Sequence, residues 1–331
     1  MAEPHQVESF FDTVAEHRGG YILRTDLLDL GVSDRQIRDA IRQQLITRIR
    51  PGTYAPHGFD DLTPERRHRL LAFAVQDKLP SDVVISHHSA AVIHSGVSFG
   101  LDPGTVHITR MSRGTERTEA NVVHHAGLIS EDELVEVDGH LLVGPARAAV
   151  ETGCVAGVEA GLVQTSFALR NGASCEEMQD RLERMARWPG VAKARLSVVW
   201  AAPEVESVGE VRSMYMFRMG RMPIPRLQTE YFDVDGVSVG RVDFDWDEFW
   251  HVGEFDGLVK YGRLNPYSGA NLGQAVVDEK RREDRIRALG RGMSRWAWSD
   301  LGSPAATCRR LRAAMETSRR LYGGPIRSVV T

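Results

Sequence analysis

At 331 residues the chain is too long for one ordinary domain, and two or three are expected. Hydrophobic content of 42% and charged content of 26% fit a globular protein, and no apolar run approaches the roughly 20 residues of a membrane span. A net charge of −4 argues against generic nucleic-acid affinity, but the charge is unevenly spread. Between Arg35 and Tyr54 five arginines face Asp39 alone, and from Lys280 onward thirteen Lys/Arg oppose four Asp/Glu. Two basic segments on an acidic body are what local phosphate contact requires. The N-terminus carries no basic, then apolar, leader pattern. Three cysteines, Cys154, Cys175 and Cys308, lie far apart, without zinc-type spacing, as expected for a cytoplasmic chain.

Residues 7–18 have the apolar spacing of an amphipathic helix, ended by Gly19-Gly20. A short helix over 24–31 closes on Gly31. A second starts after Ser33, whose hydroxyl and the Gln36 amide form a capping-box pattern. Ile37, Ala40 and Ile41 keep one apolar face, leaving Arg35, Arg38 and Arg42 outward. Residues 45–55 read as two strands about Pro51-Gly52, with Arg48 and Arg50 on one face of the first. A helix–turn–helix followed by a basic hairpin can put side chains in the major groove and on flanking phosphates. Arg35, Gln36, Arg38, Arg42, Arg48, Arg50 and Tyr54 are the expected duplex-DNA contacts. The text GVSDRQIRDAIRQQLITRIRPGTYA resembles the winged helix of AbiEi-family antitoxins of type IV toxin–antitoxin systems. The resemblance implies a transcriptional regulator with a cognate toxin partner.

Residues 58–198 are expected to form a mixed α/β middle domain. It opens with a basic helix from Pro64, places strands at 105–110 and 120–125, and turns helical from Pro145 to Met185. SHHSAAVIH, VHITR and VGPARAAVE are similar to the central region of the same antitoxins. Histidines are frequent here: His87, His88, His94, His107, His124 and His125. No two have chelating spacing, and neighbours on a strand point to opposite faces, so core or surface histidines are expected.

From 199 the pattern is αβββαβα. A helix ends at Met219, strands cover 227–234, 237–246 and 250–256 with a two-residue turn at Asp235-Gly236, and a basic helix runs from Val276 to Leu289. A fourth strand, 293–298, and a helix, 304–321, complete it. Strand parity puts Arg241, Asp243 and Asp245 on one face of the second strand, and Glu254 with Asp256 on one face of the third. Paired strands could bring Asp243 and Glu254 to one Mg2+ or Mn2+, with Lys260 adding positive charge. This order is similar to the PD-(D/E)XK nucleases, in particular to very-short-patch-repair endonucleases. The resemblance implies a restriction-endonuclease-like domain, residues 199–331, with metal-dependent endonuclease activity on DNA. It assigns Glu210 (Glu206 as alternative) to the helix acid, Asp243 to the strand acid and Glu254 to the (D/E)-x-K acid. Asp256 stands where that motif has Lys, and Lys260 where relatives have His. EKRREDRIRALG and SRWAWSDL match the relatives' basic helix and next strand, with Arg281, Arg282 and Arg285 as further DNA contacts. The fold class is therefore multidomain α+β, with segments 1–57, 58–198 and 199–331. Two functions compete: a Mg2+-dependent endonuclease delivered by the winged helix, and an antitoxin-like regulator whose nuclease fold does not cut. Oligomeric state is not legible in the sequence.

Overall fold

The computed structural model describes residues 4–112, 115–257 and 272–323. It is a multidomain α+β protein of two compact units, Met1–Ala201 and Ala202–Thr331. Among the described residues no helix is long and apolar enough to cross a membrane.

The first unit begins with α1 (Pro4–Glu16), β1 (Ile22–Leu23), α2 (Arg24–Asp29), α3 (Asp34–Arg42), β2 (Ile46–Arg50) and β3 (Thr53–Pro56). The strands form one sheet in the order β1-β3-β2. The Ser33 capping box is formed: Gln36 N donates to Ser33 Oγ at 3.4 Å, and Ser33 N donates to Gln36 Oε1 at 2.8 Å. Phe11, Val14, Leu27, Ile37, Ile46 and Tyr54 fill the core beneath.

A six-stranded mixed sheet follows. Its elements are α4 (Pro64–Gln76), β4 (Val83–Ile85), α5 (His87–Ser95), β5 (Val106–Arg110), β6 (Arg117–Glu119), β7 (Val122–Ala126), β8 (Leu134–Val137) and β9 (His140–Val143). The strand order is β6-β7-β5-β4-β9-β8. Four helices close the unit: α6 (Pro145–Ala156), α7 (Val158–Arg170), α8 (Cys175–Arg184) and α9 (Val191–Trp200).

The segments expected as separate domains, 1–57 and 58–198, lie in one compact unit. Tyr21 and Leu23 belong to the same apolar core as Phe73, Ile85 and Ile108. Polar ties accompany them. Arg18 bridges Asp26 and Asp77, each at 2.6 Å, and Tyr21 Oη donates to Asp77 Oδ2 at 2.7 Å. The two segments share this core, although residues 57–64 between them are exposed or half-buried.

The second unit comprises α10 (Val208–Met219), β10 (Arg226–Phe232), β11 (Ser238–Trp246), β12 (His251–Phe255), α11 (Leu272–Ala288), β13 (Gly292–Trp296), α12 (Trp298–Leu301) and α13 (Pro304–Tyr322). Its sheet runs β10-β11-β12-β13, antiparallel except for the parallel pair β12–β13. An aromatic cluster of Phe217, Phe244, Trp246 and Trp296 covers one face; α11, through Ile286, packs with Val242, Val252 and Met293. The turn differs from expectation. Asp233 Oδ1 accepts from Asp235 N at 3.0 Å and Val237 N at 2.9 Å, so an Asp-centred loop joins β10 to β11 rather than a two-residue turn. The strand expected to reach Trp298 stops at Trp296, because Asp300 Oδ2 accepts from Ala297 N at 2.9 Å and caps α12.

Candidate nucleic-acid interface and acidic cluster

On α3, Ile37 and Ala40 are buried while Arg35, Gln36, Arg38 and Arg42 are exposed. A 3.6-residue period with apolar residues inward makes that division unavoidable. Arg42 ion-pairs with Asp39 on the same helix. Gln36 spends its amide oxygen on the Ser33 cap. Asp34, at the first position of α3, is bonded to Arg24 Nη2 at 2.6 Å, and this hydrogen bond holds its carboxyl below the usual range. Arg48 is exposed on β2.

Two expected contacts are corrected. Tyr54 is buried, at 7% exposure, in the core between β1 and β2. Arg50 is displaced by a register shift after Arg48, and its Nη2 donates to the Ala120 carbonyl at 2.7 Å. Burial lowers the Arg50 pKa. Arg48 and Arg50 therefore do not form one basic strand face.

In the second unit each of the expected acids has partners of its own. Gly209 opens α10 against β12: a Cβ there would stand 1.9 Å from the Phe255 ring. This contact sets the position of the next residue, Glu210. Glu210 is 7% exposed and serves as a cap. It accepts from Ser207 Oγ at 2.7 Å, Glu206 N at 2.8 Å and Gln228 Nε2 at 2.9 Å. Glu206, the alternative, pairs with Arg241 at 2.8 Å.

The β11–β12 register pairs Phe244 with Gly253 and ends there, one step short of Asp243 and Glu254. Asp243 Oδ2 accepts from Phe255 N at 2.9 Å. Glu254 lies between two guanidiniums: Arg282 Nη2 is 2.5 Å from its Oε1 and Arg295 Nη2 is 3.0 Å from its Oε2. Both arginines also hold Glu279. Burial pushes the Glu254 carboxyl up against the pull of these cations. Hydrogen bonding from Arg282 keeps Glu279 low. Gly240, at φ 145°, makes room for Arg282: a Cβ there would be 2.9 Å from its Cδ.

A divalent cation at Asp243 and Glu254 does not fit this arrangement. Both Glu254 oxygens are occupied and its charge is balanced by two arginines, whereas a hard cation needs free carboxylate oxygens. Asp256 is half-buried, with its N donating to Trp296 O at 2.8 Å; Lys260 lies outside the described residues. Arg282 is likewise turned to the acids rather than outward. Arg281 and Arg285 are exposed, Arg281 standing 3.8 Å from Asp278. The ion pairs of these arginines with Glu254 were not foreseen from sequence; only the i,i+3 spacing of Glu279 and Arg282 was a signal.

The class these features define is a multidomain α+β protein with a helix-borne basic surface and a second unit in which Glu254 and Glu279 are ion-paired with Arg282 and Arg295. Residues 12–57 match the family described as transcriptional regulator, AbiEi antitoxin. No curated protein matches the chain. Among solved structures, the chain is similar to the RV2827C protein from Mycobacterium tuberculosis, at 13% identity and a TM-score of 0.38, covering 70% of this chain and 90% of that one.

Proposed function

We propose that this chain is a cytoplasmic, AbiEi-like transcriptional regulator that binds double-stranded DNA and works with a cognate toxin protein. The observation that carries the reading is the outward face of α3, where Arg35, Arg38 and Arg42 stand opposite buried Ile37 and Ala40. As a winged helix–turn–helix, α2 and α3 would form the two helices, with α3 in the major groove and Arg48 of the β2–β3 wing on a flanking phosphate. The antitoxin family match at 12–57 supports it. The second unit then acts as a non-catalytic nuclease-like fold, with the Glu254–Arg282–Arg295–Glu279 network holding α11 to the sheet. The test is a mobility-shift titration with duplex DNA over a salt series. Arg35→Ala with Arg38→Ala should weaken binding to all duplexes and flatten the salt dependence. Unchanged binding by the double variant would place DNA contact elsewhere and remove this reading.

A second reading is metal-dependent endonuclease action by residues 202–331. What favours it is that the Asp243 carboxylate reaches β12, where it accepts from the N of Phe255, the residue after Glu254. It requires Arg282 and Arg295 to release Glu254. Incubation with single- and double-stranded DNA and Mg2+ or Mn2+, against a chelator control and Asp243→Asn, separates the two. Cleavage that Asp243→Asn abolishes would establish the nuclease; no cleavage under either metal leaves the regulator.

A further inference from the structure

Within the six-stranded sheet, histidines from three elements converge. The parallel β5–β7 register pairs His107 with Val123 and Thr109 with His125. His107 and His125 therefore sit diagonally on one sheet face, since side chains alternate along a strand. His124, the other half of the 124–125 doublet, points to the opposite face. The α5 helix packs on β5 and starts at His87. One ring nitrogen from each of His87, His107 and His125 lies within 4.8 Å of the others. Alternation along β7 separates His124 from His125, and His88 is bonded to the Thr105 carbonyl, yet across elements His87 and His125 each meet His107.

We propose that His87, His107 and His125 form a binding site for a single divalent transition-metal ion, Zn2+ by preference. Imidazole nitrogen suits zinc, and three protein nitrogens leave the fourth tetrahedral position open. His107 Nδ1 and His125 Nε2 stand 2.9 Å apart, sharing one hydrogen bond. Zinc–nitrogen bonds of about 2.0–2.1 Å at tetrahedral angles need the two nitrogens roughly 3.4 Å apart, so the pair opens by about half an ångström. The His87 ring lies over that of His125, centroids 3.6 Å apart, so coordination requires it to turn about its Cβ–Cγ bond toward the shared ion.

Two features prepare His87 for this role. Its backbone is held at φ 50°, a left-handed conformation that costs a non-glycine residue about 1 kcal/mol or more. Glu151, fully buried, holds it there. Glu151 Oε2 accepts from His87 N at 2.9 Å and lies 3.3 Å from His87 Nδ1. A carboxylate beside a ligand histidine raises its basicity, while the ring Nδ1 has Ser86 Oγ at 3.0 Å as its hydrogen-bond partner. Arg147 steadies that carboxylate in turn, with its Nε 2.8 Å from Glu151 Oε1. His87 and His107 are buried, and the nearest cavity reaches only their neighbours. A cavity of about 530 Å3 is lined by Ala126, adjoining His125, by Arg147, and by Trp188, whose ring faces that of His87 at 6.4 Å.

The test uses the full chain stripped of metal by chelator dialysis. Calorimetric titration with Zn2+ should give one tight site per chain. Co2+ should develop the visible d–d absorption of a four-coordinate ion. His107→Asn with His125→Asn should lose both signals. His124→Asn, and Asp243→Asn with Glu254→Gln, should keep them. Circular dichroism checks that each variant folds; if the double variant does not, His125→Asn alone serves, and unchanged Zn2+ affinity there overturns the site. Wild-type protein that takes up no Zn2+ and develops no Co2+ absorption overturns it without any variant. So does loss of binding in the Asp243/Glu254 variant with retention in the histidine variant. The readout is independent of DNA binding, so its failure and that of the regulator reading are distinguishable.

Discussion

Arg282 Nη2 lies 2.5 Å from Glu254 Oε1, joining α11 to the centre of the second unit's sheet. The Glu254 side chain is 12% exposed and that of Arg282 21%, so water screens the pair only partly. Replacing Arg282 with Met leaves Glu254 facing Arg295 alone. A loss of about 2 kcal/mol is expected in urea unfolding, below the value for fully buried pairs. Glu254→Gln together with Arg282→Met should recover part of it, since no uncompensated charge remains. A double variant as unstable as the sum of the singles would show that the two residues do not interact.

Arg50 should separate from its neighbours in sequence. Its donor is committed to the Ala120 carbonyl, while Arg35 and Arg38 are exposed. Arg50→Ala is expected to cost about 1 kcal/mol of stability and leave duplex affinity within twofold. Each of Arg35→Ala and Arg38→Ala should instead keep stability within about 0.5 kcal/mol and lower the salt slope of DNA binding by about 1. Thermal melts and mobility shifts on the same three proteins decide the matter.

Gly209 is where α10 meets β12, and the Phe255 ring occupies the space a methyl group would need. Gly209→Ala forces the helix or the ring to move. An overpacking cost of about 1–3 kcal/mol is expected, despite the better helix propensity of alanine. A variant at least as stable as the parent would mean that α10 is free to shift.

His251 carries a pH prediction. It is 1% exposed and set between two serines, with Nδ1 2.8 Å from Ser318 Oγ and Nε2 2.9 Å from Ser294 Oγ. Burial lowers its pKa from 6.5 to about 4. The unfolded chain therefore binds the extra proton between about pH 6.5 and 4, and the folded chain does not. The contribution is fully present above pH 6.5 and lost as pH falls toward 4, by on the order of 3 kcal/mol. His251→Gln should melt with a shallower acid dependence than the parent over that window. Identical pH profiles would show that His251 titrates normally in the folded protein.

Local patterns were legible because their causes are local. Ser33 and Gln36 cap α3 because the two groups lie one turn apart. The αβββαβα order followed from apolar periods and breakers, with one further short helix, Trp298–Leu301, before the last. Glu210 was legible as a helix residue, but not as one whose carboxylate is consumed by Ser207, Glu206 and Gln228.

The sequence by itself determined which residues face outward on α3 and which acids share a strand face, since helix and strand periods need only neighbours along the chain. Tertiary structure alone decided what meets those faces. Arg295 reaches Glu254 because β13 pairs parallel to β12, a register set by α11 crossing between them. Tyr54 left the surface because β1, over thirty residues earlier, pairs with it. His87 joined His107 and His125 because α5 folds back over β5. Each is a long-range contact, fixed by the burial of apolar surface across the whole unit rather than by the residues that make it.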